Sequence, residues 1–232
     1  MRLENLRKEV LEANLELVRR GLVLYTFGNA SGISRAEGLV AIKPSGVPYE
    51  SLRTGDIVVT DLEGNVVEGS LRPSSDLATH LELYKAFSTI GGVAHTHSEF
   101  ATAWAQARKP IPCFGTTHAD DFHGPVPVTG TMSSDAIAGD YEKNTGAAIL
   151  RAFRDVDYER VPAVLVANHG PFAWGRDATA AAYNAVILEH VARVAYRTIA
   201  INHEAQEIAG DLHDKHFLRK HGAKAYYGQE KK

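Results

Sequence analysis

The segment Gly91-Gly92-Val93-Ala94-His95-Thr96-His97-Ser98 carries two histidines one residue apart at the end of an apolar, β-like run. Alternate side chains of an extended chain point to the same side, so His95 and His97 project together. Two imidazoles a pleat apart suit one divalent ion, commonly zinc. Such a pair is also what a hydrogen-bonded strand end can carry. A third histidine strengthens the metal reading. The apolar run Ala163–Ala167 stops at Asn168-His169-Gly170-Pro171, which puts His169 at the C-terminal end of a strand. Gly170 would let a neighbouring backbone approach closely, although a turn histidine before a Gly-Pro break is the plainer alternative. Asp76, in the first turn of a helix opened by Pro73-Ser74-Ser75, offers an oxygen ligand. A carboxylate there is favourable without any metal, because it faces the positive end of the helix dipole. His80, one turn on and on the same face, is an outer-sphere candidate.

Three short segments could hold an anion: Phe27-Gly28-Asn29-Ala30-Ser31-Gly32, Lys43-Pro44-Ser45-Gly46 and Pro73-Ser74-Ser75. Phosphate is bound by backbone amides, hydroxyls and fixed positive charge. Gly28 and Gly46 permit unusual dihedrals, Ser45, Ser74 and Ser75 supply hydroxyls, and Lys43 supplies charge. Singly, each segment reads as an ordinary turn or cap. Their company with the histidines is what makes an anionic substrate the reading.

Helical spacing of Leu3, Leu6, Val10 and Leu17 predicts a helix over residues 3–20, ended by Gly21. Strands are expected at Leu22–Thr26, Leu39–Lys43, Ile57–Thr60 and Val66-Val67, with a turn at Glu63-Gly64-Asn65. Their connections are too short for helices, so neighbours should pair antiparallel. A serine-capped helix follows Ser75 and runs to Phe87, then a strand at Val93–His97, then a helix capped by Ser98 and ending near Ala107. A further helix is expected within Ala136–Phe153, a strand at Ala163–Ala167, and a long helix over Ala178–Ile201 with Ala181, Ala185, Leu188, Ala192 and Ala195 on one face. The class is α/β: one domain of three layers, α/β/α, around a central mixed, largely antiparallel sheet.

Composition narrows the functions. The 232 residues are 44% hydrophobic and 23% charged with a net charge of −3, an ordinary globular balance that gives no support for a nucleic-acid partner. No run is long and apolar enough for a signal peptide core or a bilayer span. The single cysteine, Cys113, excludes an internal disulfide, and a reducing cytoplasm is the natural setting. No GxGxxG or GxxxxGK[ST] loop points to a nucleotide.

As an ordered set, seven motifs resemble the class II aldolase/epimerase superfamily, and within it the L-ribulose-5-phosphate 4-epimerase family. They are Thr26–Asn29 (TFGN), Lys43–Gly46 (KPSG), Pro73–Asp76 (PSSD), His95–His97 (HTH), Gly115–Asp120 (GTTHAD), Asn168–Trp174 (NHGPFAW) and Asp214–Gln229 (DKHFLRKHGAKAYYGQ). The resemblance implies one domain over 1–232, with residues 211–229 contributing to a site between the subunits of a homotetramer. It implies zinc, replaceable by manganese or cobalt, on Asp76, His95, His97 and His169. Contacts to a small phosphorylated ketopentose would come from Gly28, Asn29, Lys43, Ser45, Gly46, Ser74 and Ser75. Asp120 and Tyr227 would be the acid/base groups, with His216 supporting them.

In the related aldolases the position of Asp76 is usually a glutamate that can leave the metal and act as base, so the shorter side chain resembles the epimerases. The chain departs from the epimerases at Asp121 and His123, where aromatic residues are usual, leaving two adjacent aspartates as candidates. The final Glu230-Lys231-Lys232 extends past the family's ending and is expected to be disordered. Without the resemblance, Asp120 reads as a loop cap, Tyr227 as a tail aromatic, and Lys215, Arg219, Lys220 and Lys224 as a solvated helix face. A sugar 1-phosphate aldolase and a metal-free, adducin-like interaction module are the rival expectations.

Overall fold

The computed structural model describes residues 2–228; Gln229 of the C-terminal segment and the Glu230-Lys231-Lys232 extension lie outside them. Helix α1 (Glu4–Arg19) buries Val10, Ala13, Asn14 and Leu17 on one stripe. Asn14 also replaces a missing strand partner: its amide accepts from Ala30 N at 2.8 Å and donates to Ala30 O at 3.0 Å. Strands β1 (Asn29–Ser34), β2 (Leu39–Ile42), β3 (Val58–Asp61) and β4 (Val66–Glu68) then form an antiparallel meander.

Helix α2 (Leu77–Ala86) crosses to strand β5 (Gly92–His95), followed by α3 (Glu99–Ala107) and the one-turn α4 (Thr116–Ala119). Next come α5 (Ser134–Ala138), α6 (Tyr141–Ala152), β6 (Ala163–Leu165), β7 (Pro171–Gly175), the long α7 (Ala178–Ile201) and α8 (Gly210–His221). The sheet order is β4-β3-β2-β1-β5-β7-β6, with every strand pairing antiparallel, while an isolated Val128–Leu165 bridge is parallel.

Alternation along β1 shows the layers. Ser31 points to α2, its hydroxyl 2.7 Å from both His80 Nδ1 and Tyr84 Oη, whereas Gly32 faces Leu6 and Val10 of α1 and Ala178 of α7. Helices α1, α3 and α7 thus share one face, and α2 with α6 covers the other. That is the expected three-layer α/β/α domain. Helix ends are tied by distant side chains. Glu189 of α7 accepts from the N–H groups of Phe100 and Ala101 at 2.9 Å, Glu9 accepts from Ala178 N at 2.8 Å, and Arg35 donates to the carbonyls of Tyr84, Phe87 and Ile90.

Several boundaries differ from the expectation. Leu22–Thr26 is not a strand: Tyr25 is left-handed at φ 53° and Leu24 and Tyr25 are exposed, while the strand begins later, at Asn29. Strand β7 arises in the stretch read as a Gly-Pro break, whereas the helix expected within Ala136–Phe153 is present as α6, with the short α5 before it. The serines opening α2 and α3 do not cap the first-turn amides, although Ser74 Oγ accepts from Asp76 N at 3.3 Å. Ser98 makes no cap bond and Glu189 serves α3 instead, while the N-cap of α2 is Asp76.

Candidate metal centre

His95 closes β5, and its Nδ1 lies 2.9 Å from the Pro171 carbonyl at the start of β7. A carbonyl only accepts, so Nδ1 holds the ring proton and Nε2 is left with a free lone pair. The strand stops at His95, yet the chain stays extended enough to bring His97 Nε2 within 3.1 Å of His95 Nε2. His169 follows Asn168, left-handed at φ 62°, in the β6–β7 turn; its ring centroid is 4.8 Å from His95 and 5.0 Å from His97. One nitrogen from each of the three histidines lies within 4.8 Å of the others. Burial pushes His95 down to about 3 and also lowers His169, so these two rings stand neutral, the state in which imidazole binds a metal.

Two glycines make room for the cluster. A Cβ on Gly170 would sit 2.8 Å from the Thr96 carbonyl and beside the rings of His97 and His95. A Cβ on Gly28, left-handed at φ 74°, would meet the His95 carbonyl at 2.7 Å. Both segments approach the centre only because neither carries a side chain.

Asp76 occupies the N-cap position of α2 but makes no cap hydrogen bond. Its carboxylate accepts instead from Asn29 Nδ2 at 2.7 Å and from Ser74 Oγ at 3.4 Å. Burial raises this carboxyl, and its electrostatic interaction with the His95 and His80 rings together with the Asn29 bond outweighs it, leaving it below the usual range. The carboxylate lines the same cavity as the three histidines, standing beside the 4.8 Å cluster rather than within it. His80 is fully buried against Ser31 and pushed down to about 4 by burial, and it does not line the cavity.

The cavity holds roughly 400 Å³ and is also lined by Gly28, Asn29, Lys43, Ser45, Gly46, Ser74 and Ser75, so all the sequence-predicted anion contacts converge. Ser74 N donates to Lys43 O and Ser45 N to Arg72 O, each at 3.0 Å, and these bonds zip the two loops together. Those two amides are therefore committed to the protein, as is the Ser74 hydroxyl, which accepts from Asn29 Nδ2 at 3.0 Å, while Lys43, Ser45 and Ser75 line the cavity beside them. Lys43 is 1% exposed, with Nζ 3.3 Å from the Pro44 carbonyl and 4.6 Å from the Tyr49 ring centroid. Burial, with no carboxylate to relieve it, pushes Lys43 down to about 8. Tyr141 and Glu142 line the cavity as well; sequence reasoning passed over both, because they open a polar helix with no motif around them.

Asp120, His216 and Tyr227 are absent from that lining and gather elsewhere. Asp120 follows α4, and α8 packs against it: His216 Nδ1 is 3.0 Å from Asp120 Oδ1, and Arg219 forms a fork to both carboxylate oxygens. Asp121 is buried differently, accepting from Lys220 Nζ of α8 and from Tyr183 Oη of α7. His123 Nε2 pairs with Asp214 at 2.6 Å. The two departures from the epimerase pattern thus dock α8, and Arg219 and Lys220 are engaged rather than solvated.

Fold and site together define a three-layer α/β/α protein with a candidate metal centre at one end of its sheet and an anion pocket beside it. Residues 8–196 match the family described as Class II Aldolase and Adducin N-terminal domain, and the chain belongs to that family. A solved L-fuculose 1-phosphate aldolase is 27% identical with a TM-score of 0.77, over 91% of this chain and 94% of that one. YgbL of Klebsiella pneumoniae, named as a candidate aldolase/epimerase/decarboxylase, is 26% identical with a TM-score of 0.74, over 93% of this chain and 99% of that one. L-fuculose-1-phosphate aldolase from Thermus thermophilus, 22% identical over 88% of this chain and 100% of that one with a TM-score of 0.68, shares the fold. No helix is long and apolar enough to cross a membrane among the described residues.

Proposed function

We propose that this chain is a metal-dependent 4-epimerase of the cytoplasm that interconverts L-ribulose 5-phosphate and D-xylulose 5-phosphate by breaking and re-forming the C3–C4 bond. The observation that supports it is one cavity lined by three clustered histidines and by a buried lysine that has no carboxylate partner among the described residues, set among small, hydroxyl-bearing loops. The donor set fits a divalent ion: His95 Nε2 and His97 Nε2 point at each other with His95's proton on the far nitrogen. Zinc, or manganese or cobalt in its place, held by His95, His97 and His169 with Asp76 alongside, would supply Lewis-acid stabilisation of charge developing on the sugar oxygens.

The substrate's own chemistry selects the route. Its carbonyl is at C2, so the C4 hydrogen is not acidic, whereas electrons left on C3 by C3–C4 cleavage delocalise into that carbonyl. Lys43, with the hydroxyls of Ser45, Ser74 and Ser75, anchors the phosphate of the departing two-carbon aldehyde. The aldehyde then turns and is attacked on its other face, which inverts C4. Proton exchange at the C4 oxygen needs a group on each side. Asp120 and Tyr227, supported by His216, serve there from the neighbouring subunit of a homotetramer, since their own chain's cavity does not contain them.

The likeness to L-fuculose 1-phosphate aldolase favours a second reading, a sugar-phosphate aldolase. Asp76 speaks for the first: it is short and pinned by Asn29 and Ser74, unlike a base that must swing free. The histidine cluster likewise favours an enzyme over a metal-free module. Incubation with L-ribulose 5-phosphate decides. D-Xylulose 5-phosphate should form with the C4 hydrogen retained in deuterated water; net release of free fragments would establish the aldolase instead, and solvent deuterium at C4 would end the cleavage mechanism.

A further inference from the structure

One residue of α8 holds together the groups assigned to proton transfer. Arg219 Nε lies 3.1 Å from Asp120 Oδ1, and its Nη2 lies 2.9 Å from both Oδ1 and Oδ2. His216 Nδ1 shares Oδ1 at 3.0 Å, and His221 Nε2 sits 2.9 Å from the Asp120 carbonyl. On its other side, the Arg219 carbonyl accepts from the N–H groups of Tyr226 and Tyr227 at 2.9 and 3.1 Å. Its guanidinium carbon stands 5.2 Å from the Tyr227 ring centroid. The family match ends at residue 196, so Asp120 lies within the matched region and its α8 partners beyond it.

We infer that Arg219 is the positioning residue of the proton-transfer set, clamping the Asp120 carboxylate beside His216 and folding the Tyr227 ring back over α8 so that the three present together. This rests on the roles proposed for Asp120 and Tyr227. Only a guanidinium does both jobs: its planar fork matches a carboxylate and its face stacks on a phenol ring, whereas an ammonium is a point charge. Asp120 is faced by His216, Arg219 and His221 of α8, while neighbouring Asp121 is already paired with Lys220. Burial raises the Asp120 carboxyl, and Arg219 with His216 brings it below the ordinary carboxylate range. Asp120 therefore enters as a carboxylate that accepts a proton, and Tyr227 is left as the donor.

The test compares Arg219→Ala and Arg219→Lys in the metal-loaded, full-length protein. Asp120 is followed by carbon-13 NMR of its carboxyl, assigned with Asp120→Asn, and L-ribulose 5-phosphate turnover is measured across pH. In Arg219→Ala the Asp120 titration should move to higher pH, the acid limb of kcat should move with it, and kcat should fall about 100-fold, within the range of one acid/base group. KM and metal content should hold. Millimolar guanidinium should restore part of that turnover where ammonium does not, an outcome a merely structural arginine would not give. If Arg219→Ala fails to fold, Arg219→Lys carries the test, with its fold kept and kcat down at least about 10-fold. An unmoved Asp120 titration, or kcat within twofold of the parent, overturns the inference. The NMR measurement needs no substrate, so a moved titration in a protein inactive on L-ribulose 5-phosphate upholds the clamp and removes the epimerase reading alone.

Discussion

His95 closes β5, with His97 and His169 in the segments just beyond paired strands, whereas Asp120 and Asp121 follow a one-turn helix and are gripped by the side chains of α8. In the first region the backbone sets the geometry: β5 pairs with β7 residue by residue, the Pro171 carbonyl orients one ring, and Gly170 and Gly28 let three segments close in. In the second, long flexible side chains carry the contacts and stay partly exposed; Arg219 and Lys220 are 26% and 23% accessible. A centre built from backbone suits a metal, which tolerates little error in ligand position. A unit built from charges suits a docking element, which can be released and re-seated.

Three measurements bear on that contrast. The largest effect belongs to His97→Asn, which removes a predicted ligand and leaves the strands paired. Bound metal and turnover should both fall by more than the roughly 10–100-fold seen when only an outer partner of a ligand is lost. Full metal content by elemental analysis, with normal turnover, would break the metal side of the comparison.

Gly170→Ala is next. Its methyl would sit 2.8 Å from the Thr96 carbonyl, so backbone must shift. We expect a stability loss of about 1–3 kcal/mol in denaturant unfolding together with weaker metal binding. Unchanged affinity would mean that the histidines do not depend on this close approach.

The smallest effect is expected at the clasp. Asp214→Asn removes the exposed carboxylate that pairs with His123 and should cost about 0.2–1 kcal/mol, a difference that shrinks as salt is raised. A salt-independent loss of several kcal/mol would show that the clasp is as rigidly built as the centre.

The histidine centre was legible because its chemistry sits on regular elements. Strand alternation put His95 and His97 on one side, and the apolar run before His169 announced a strand end. Strand β1 was hidden because Asn29–Ser34 is small and polar; β5 on one side and β2 on the other make it a strand, overriding weak local propensity. Strand β7 was hidden because Phe172, Ala173 and Trp174 are all buried, so there is no alternation to read. Helix α8 buries Phe217 alone and lacks an apolar stripe. The charge pairs that hold it join residues about a hundred positions apart, as in Asp120 with Arg219, and no local pattern reports them. The sequence marked Asp120, His216 and Tyr227 through the family resemblance alone. It could not show that Asp121 would be tied to Lys220 and Tyr183 while Asp120 met His216 and Arg219.

The order of strands across the sheet bears on how the chain is made. Strand β5 lies between β1, which precedes it by some sixty residues, and β7, which is synthesised long after it. A nascent chain that has emerged as far as α6 can form the meander and add β5, but the free edge of β5 then has no neighbour. That edge carries His95 at its end, and an unpaired strand edge invites pairing with other chains. Only when β7 arrives is the edge covered, and the same step brings His169 and the Pro171 carbonyl to His95. Covering the β5 edge and assembling the histidine cluster are thus one and the same step in the folding of this molecule.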